Sequence, residues 1–190
     1  MKFYSIFEFP SNKLYAVKFE GETQDEYQKA FNQWQDVEYL HHFFEEHKAD
    51  LKNQIFNAPS VDDAIIQTLK ESSKFEQYIR SLCRQEKTNL NDIIFRPLNK
   101  NETKIELQQN KAYGSVGTPS WLRLYAIRLS KSIYFVTGSA IKLTRSMEER
   151  EHTKVELEKL KKVAQYLKNE GIIEEDNFGY LEIQNQQYLL

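Results

Sequence analysis

The sequence predicts an α+β fold, a small antiparallel sheet packed with helices and preceded by a largely helical N-terminal part. Two observations carry this reading. Short runs rich in aromatic and β-branched residues are joined by brief polar turns near the start and again after residue 120, the mark of β-hairpins. Between and after them, apolar residues recur at helical spacing, and the 190 residues contain no internal repeat and no low-complexity linker. One domain covering 1–190 is expected, with an N-terminal hairpin and helices over 1–90, a sheet and helix over 91–170, and an acidic tail over 171–190.

"FYSIFEF" and "KLYAVKFEG" form the first hairpin, turned by Pro-Ser-Asn-Lys. From Asp25 the period changes: Tyr27, Ala30, Phe31 and Trp34, then Val37, Leu40, Phe44 and Leu51, predict one long or two consecutive helices over about 25–54. Ser60 and Asp63 make a capping box with Asp in place of Glu, opening a helix whose inward residues are Ile65, Leu69, Phe75, Ile79 and Leu82 and which fades by about Lys87. Pro97 holds Arg96 in an extended lead-in, and "KIELQQ" is the next strand. "WLRLYAIRL" and "SIYFVTG" give the clearest hairpin, with Lys131 in its turn. Alternation places Trp121, Arg123, Tyr125 and Ile127 on one face, and Leu122, Leu124, Ala126 and Arg128 on the other. Gly138 permits a bulge or bend before a final strand through Lys142. Ser146 and Glu149 form a second capping box, starting a helix from Met147 to about Lys168 with Leu157, Leu160, Ala164 and Leu167 inward; Gly171 stops it, and "FGYLEIQ" adds a short strand.

Charge is unevenly spread. The formal net charge is −2, yet residues 120–170 carry 11 basic and 6 acidic side chains, giving +5. A local basic field attracts phosphates even when the whole molecule does not. The single cysteine, Cys83, excludes an intramolecular disulfide and a four-cysteine zinc site. "HHFFEEH", residues 41–47, lacks the HExxH pattern, so these residues read as packing and surface groups and no metal is expected. The glycines fit neither phosphate-binding loop pattern, and no cofactor is expected. "MKFYSIFEFPSNK" has no apolar stretch of signal length and no run approaches membrane-spanning length, so the expected location is cytoplasmic. The candidate phosphate-binding set is Arg96, Arg123, Arg128, Lys142, Arg145 and Arg150. Arg123 projects among aromatics, where an arginine is paired, stacked or reserved for a phosphate.

From Phe95 to Lys168, about four-tenths of the chain, the sequence resembles the RelE/HigB/ParE superfamily of bacterial toxins, especially its HigB-like, phage-derived branch. The resemblance rests on "FRPLNKNETKIELQQNKAYG", "WLRLYAIRL", "SIYFVTGSAIKLT" and "MEEREHTKVELEKLKKVAQYL" in the family's order. It implies a RelE-like fold with the opening helical pair enlarged, and a metal-independent messenger-RNA endoribonuclease paired with a small helix-turn-helix antitoxin, acting on mRNA that is often ribosome-bound. Carried over by position, Arg123 matches the strand arginine and Lys142 the strand-end lysine. Tyr125 and Arg145 support them, and His152 is the proton-transfer candidate by proximity. Arg96, Arg128, Arg145 and Gln108 make up the RNA-binding set.

The sequence departs from the family at two points: Gln108 stands where an arginine is usual, and Leu143 where a second lysine is usual. Two cations are missing from the expected cleft. This favours the alternative of an inactive RelE-fold protein that binds a protein partner, an antitoxin or a gyrase-type target. An unrelated α+β interaction domain is the third reading.

Overall fold

A computed structural model describes residues 1–9, 12–52, 56–57, 59–83, 90, 94–99, 101, 104, 107–115 and 119–184. The chain opens with the expected hairpin, β1 (Lys2–Phe9) and β2 (Asn12–Lys18). Three helices follow where one or two were expected: α1 (Glu26–Gln35), α2 (Val37–Glu46) and α3 (Lys48–Leu51). The break lies at Asp36, whose extended backbone ends α1 while its carboxylate accepts from the Glu38 and Tyr39 amides and so caps α2. Ser60 caps α4 (Val61–Cys83), its hydroxyl accepting from the Asp63 amide at 3.1 Å. The expected fading of that helix near Lys87, and the Cys83 side chain, lie outside the described residues.

The second half supplies β3 (Phe95–Pro97), β4 (Gln108–Tyr113), β5 (Leu122–Arg128), β6 (Ile133–Ile141), helix α5 (Glu151–Asn169), a 3₁₀ helix over Glu175–Tyr180, and β7 (Ile183–Gln184). The helix begins four residues later than the capping box suggested. Glu149 does accept from the Ser146 amide, but it closes a turn ahead of the helix, and Arg150 takes the N-cap position of α5 without a side-chain capping bond. At the other end the Gly171 amide donates to Lys168 O and the Ile172 amide to Leu167 O, the paired bonds of a Schellman motif, with Gly171 at φ +72°.

The sheet is larger than expected and mixed. Its order is β3-β4-β5-β6-β2-β1-β7. Neighbours are antiparallel except β2/β6 and β1/β7, which are parallel. The N-terminal hairpin is thus built into the sheet through Lys13–Ala16 against Ile133–Val136. The segment expected as an acidic tail is also engaged: β7 pairs with β1, and Phe178 packs 5.1 Å from the Tyr15 ring.

Each face of the sheet carries its own core. One, under α1, α2 and α4, holds Leu14, Trp34, Phe44, Leu122, Leu124, Ala126, Tyr134 and Val136. The other, under α5 and the 3₁₀ helix, holds Phe3, Tyr15, Tyr125, Ile127, Phe135, Leu160, Val163 and Leu167. Trp121 belongs to the first core, not beside Arg123 as alternation from residue 121 suggested. It precedes β5, packs on Phe44 and Phe56, and donates its indole N–H to Thr68.

Gly138 does sit at a bulge, but β6 runs through it to Ile141 without a break. Tyr125 faces Gly138 and Ala126 faces Val136, which leaves Thr137 as the extra residue. An extra residue reverses the facing of every later side chain in the strand. Before the bulge Tyr134 and Val136 face the first core; after it Ala140 faces the second and Ile141 the first. Lys142, whose amide continues the ladder by donating to Trp121 O at 2.7 Å, therefore falls on the α5 face.

Candidate functional site

Among the described residues helix α5 packs on β6 and β5, with β4 beside them in the same sheet. At its N-terminal end a cleft of about 390 Å³ opens, lined by Lys111, Tyr113, Arg123, Tyr125, Lys142 and Arg145, with Leu98, Met147, Leu157 and Glu148 among its other walls. Register explains the grouping. Lys111 is paired with Tyr125 and Tyr113 with Arg123, and directly opposed residues share a face. The turn 142–150 then brings Arg145 and Glu148 over the top.

Arg123 is held firmly. Its guanidinium stacks 4.0 Å over the Tyr113 ring and donates to the Ser120 and Leu122 carbonyls at 2.7 and 2.8 Å. Burial lowers its pKa, with Tyr113, Tyr125 and Glu71 opposing, and it stays cationic. The Lys142 ammonium donates to the Thr144 and Arg145 carbonyls at 2.6 and 2.5 Å, so it also shapes the turn. Burial first, then the charges of Arg123 and Lys111, push its pKa down. Tyr125 is fully buried, and its hydroxyl has no hydrogen-bond partner among the described residues. Its pKa is raised, chiefly by burial, so at neutral pH it is a donor and not a base. Glu148, a carboxylate in the cleft wall, is held below its ordinary value by the Ser146 hydroxyl.

Of the residues expected from sequence, Arg123, Tyr125, Lys142 and Arg145 converge here. Arg96 is exposed on β3 opposite Lys111, on the same face one strand further out. Four others lie elsewhere. Gln108 opposes Arg128 on the face of the first core and is 2 % exposed, because β4 turns Gln109, Lys111 and Tyr113, and not Gln108, toward the cleft. Arg128 is buried beside it, its Nε donating to Ser130 O at 3.0 Å. His152 packs between Phe43 and His47, with Nε2 3.1 Å from Ile141 O, and burial lowers its pKa. Arg150 is likewise committed, to Asp50 at 2.8 and 2.5 Å, joining α3 to α5.

Lys111 and Tyr113 were missed. "QNKAYG" alternates, but with Gln108 and Asn110 on the buried side its polar character hides the strand. Among the described residues no group of three His, Cys, Asp or Glu side chains is arranged to hold a metal, and no helix is long and apolar enough to cross a membrane. Comparison with protein-family models, curated proteins and solved structures finds no match to this chain.

Proposed function

We propose that the cleft is an RNA phosphodiester site and that the protein is a toxin-like, RelE-like endoribonuclease of a toxin–antitoxin pair, acting on messenger RNA in the cytoplasm. The observation that carries this is the convergence of Lys111, Arg123, Lys142 and Arg145 on one cleft, where their charges meet with a single acid, Glu148, among the lining residues.

In this reading the RNA 2′-oxygen attacks the adjacent phosphorus and the bond to the 5′-oxygen breaks, leaving a cyclic phosphate and a free 5′-hydroxyl. Arg123 and Lys111 stabilise the added charge on the phosphorane. The Lys142 ammonium, fixed by the Thr144 and Arg145 carbonyls, adds its positive charge beside them, while the 2′-hydroxyl proton passes to solvent water and the leaving oxygen takes a proton from it. A small helix-turn-helix antitoxin would mask the cleft with acidic and apolar groups.

A binding-only module for an acidic protein partner is the second reading. It is favoured by His152 lying outside the cleft and by Glu148 being a weakened base. The test is cleavage of a ribosome-bound message by the purified protein in EDTA. Lys142→Ala and Arg123→Ala, checked for folding by circular dichroism, are each expected to lose about 100-fold or more. Cleavage that requires added metal, or is unaffected by both changes, overturns the mechanism. A parent that cuts nothing but binds a small acidic helix-turn-helix protein supports the second reading.

A further inference from the structure

The elements that line the cleft run on past Leu157. One turn further along α5 lies Lys161, and two residues back along β4 on the same face lies Gln109, whose carbonyl accepts from the Leu98 amide at 2.8 Å. These residues line a second groove of about 620 Å³ together with Lys104, Leu107, Ala164, Gln165 and Lys168. The two hollows have no lining residue in common, but β4 and α5 contribute side chains to both. Leu98 and Leu157 line the first and Leu107 and Ala164 the second, all four partly buried against the second core. From Leu157 to Lys168 the helix rises about 16 Å at 1.5 Å per residue.

We infer that the two hollows act together as one track for single-stranded RNA, in which the second groove holds the nucleotides flanking the phosphate bound at Arg123 and Lys142. The inference rests on the proposed RNA-binding cleft and extends it. Lys111, Lys161, Lys104 and Lys168 supply cations along the whole length, matching a backbone that carries a charge at every nucleotide. A protein segment would need an unbroken acidic run to do the same. Lysine suits a mobile phosphate, being a point charge on a flexible stem with no fixed fork to satisfy. The apolar lining takes bases or riboses, while the Gln109 and Gln165 amides line the second groove. Two acids oppose the cations: Glu174 lines the groove, and Glu158 pairs with Lys161 at 2.7 Å on the surface, where both partners stay largely exposed and an ion pair is weak. At about 3.4 Å per stacked nucleotide, a 16 Å track accommodates roughly five.

Fluorescence anisotropy with labelled 2′-O-methyl oligouridines of two, four, six and eight nucleotides tests this without cleavage. Affinity for the parent is expected to climb with length and level off near six to eight. For Lys161→Gln/Lys168→Gln the eight-nucleotide strand should bind about tenfold or more weakly, with the length gain largely lost. The slope of log K against log salt should fall by about 1.4, or about 0.7 per phosphate contact removed. A double variant with the parent's length dependence and salt slope overturns the track and leaves the cleft standing. A folded parent that binds no strand of any length overturns the cleft reading itself. Stronger competition by a polyglutamate peptide than by the eight-nucleotide strand overturns RNA as the occupant.

Discussion

Glu156 on α5 is 6 % exposed and lies beside Glu26 of α1, with the Lys159 ammonium between them at 2.9 and 2.8 Å. One oxygen of each carboxylate has no hydrogen-bond partner among the described residues. Burial, then the charge of Glu26, pushes Glu156 up to about 7 from an ordinary 4.5, against Lys159 and Lys29. Glu26 is raised for the same chief reason. Lys159 is raised because both carboxylates outweigh its own burial. Between about 4.5 and 7 the folded state holds a Glu156 proton that the unfolded chain has released, so stability falls as pH rises through that window. Glu156→Gln keeps the shape and an acceptor for Lys159 but removes the charge. At pH 8 the variant is expected to exceed the parent by on the order of 3 kcal/mol, at about 1.4 kcal/mol per pKa unit, and the gap should close below pH 4.5. Urea titrations at both pH values measure this. A variant less stable at pH 8 would mean that the Lys159 ion pair outweighs the burial of the carboxylate.

At the scale of elements, α5 is seated on β6 through that same residue. The Glu156 carboxylate lies directly against the Gly138 backbone, and a Cβ built at 138 overlaps its Oε2 and comes within 2.8 Å of Cδ. Gly138 is needed for this close approach as much as for the bulge. Gly138→Ala is expected to cost about 1–3 kcal/mol by overpacking a fixed helix–strand contact, and Glu156→Ala in the same chain should recover part of it. Thermal melts of the two single variants and the double variant decide the matter; additive losses would show that the two residues are uncoupled. Capping residues gave the clearest local signals in the sequence, because their hydrogen bonds close within a few positions. Ser60 and Gly171 act where expected. The Ser146 signal was real as chemistry but closed a turn instead of a helix, since the chain first has to carry Lys142 and Arg145 over the cleft.

For the molecule as a whole, β2 is the keystone of the sheet, flanked by β1 on one side and β6 on the other. Leu14, Tyr15, Ala16 and Val17 are all buried, two facing each core. A chain beginning at residue 21 would leave the edge of β6 unpaired and both cores open. Such a truncation is expected to lose cooperative thermal unfolding and to aggregate. A sharp melt within a few degrees of the parent would show instead that the hairpin is an accessory. The parallel β2/β6 contact joins residues about 120 apart, and no local pattern announces such a pairing. Its one trace in the sequence is "LYAV", a continuous apolar run of the kind a strand covered on both faces requires, within what otherwise reads as a simple two-stranded hairpin.

By itself the sequence determined the α+β class, both hairpins, the N-terminal cap of α4 and the stop of α5, and four of the side chains that meet in the cleft. All of these depend on neighbours within a few residues, where spacing and side-chain chemistry speak directly. The tertiary structure alone decided which way those side chains point. Alternation carried unbroken along β6 from Tyr134 would have placed Lys142 under α4, away from Arg123. The single extra residue at Thr137 turns it to the α5 face. Gln108 and Arg128 show the same physics in reverse, sharing a register that buries both behind the sheet. Because strand side chains alternate with period two, a shift of one residue moves a charge from a cleft to a core, and only the pairing of distant strands sets that shift.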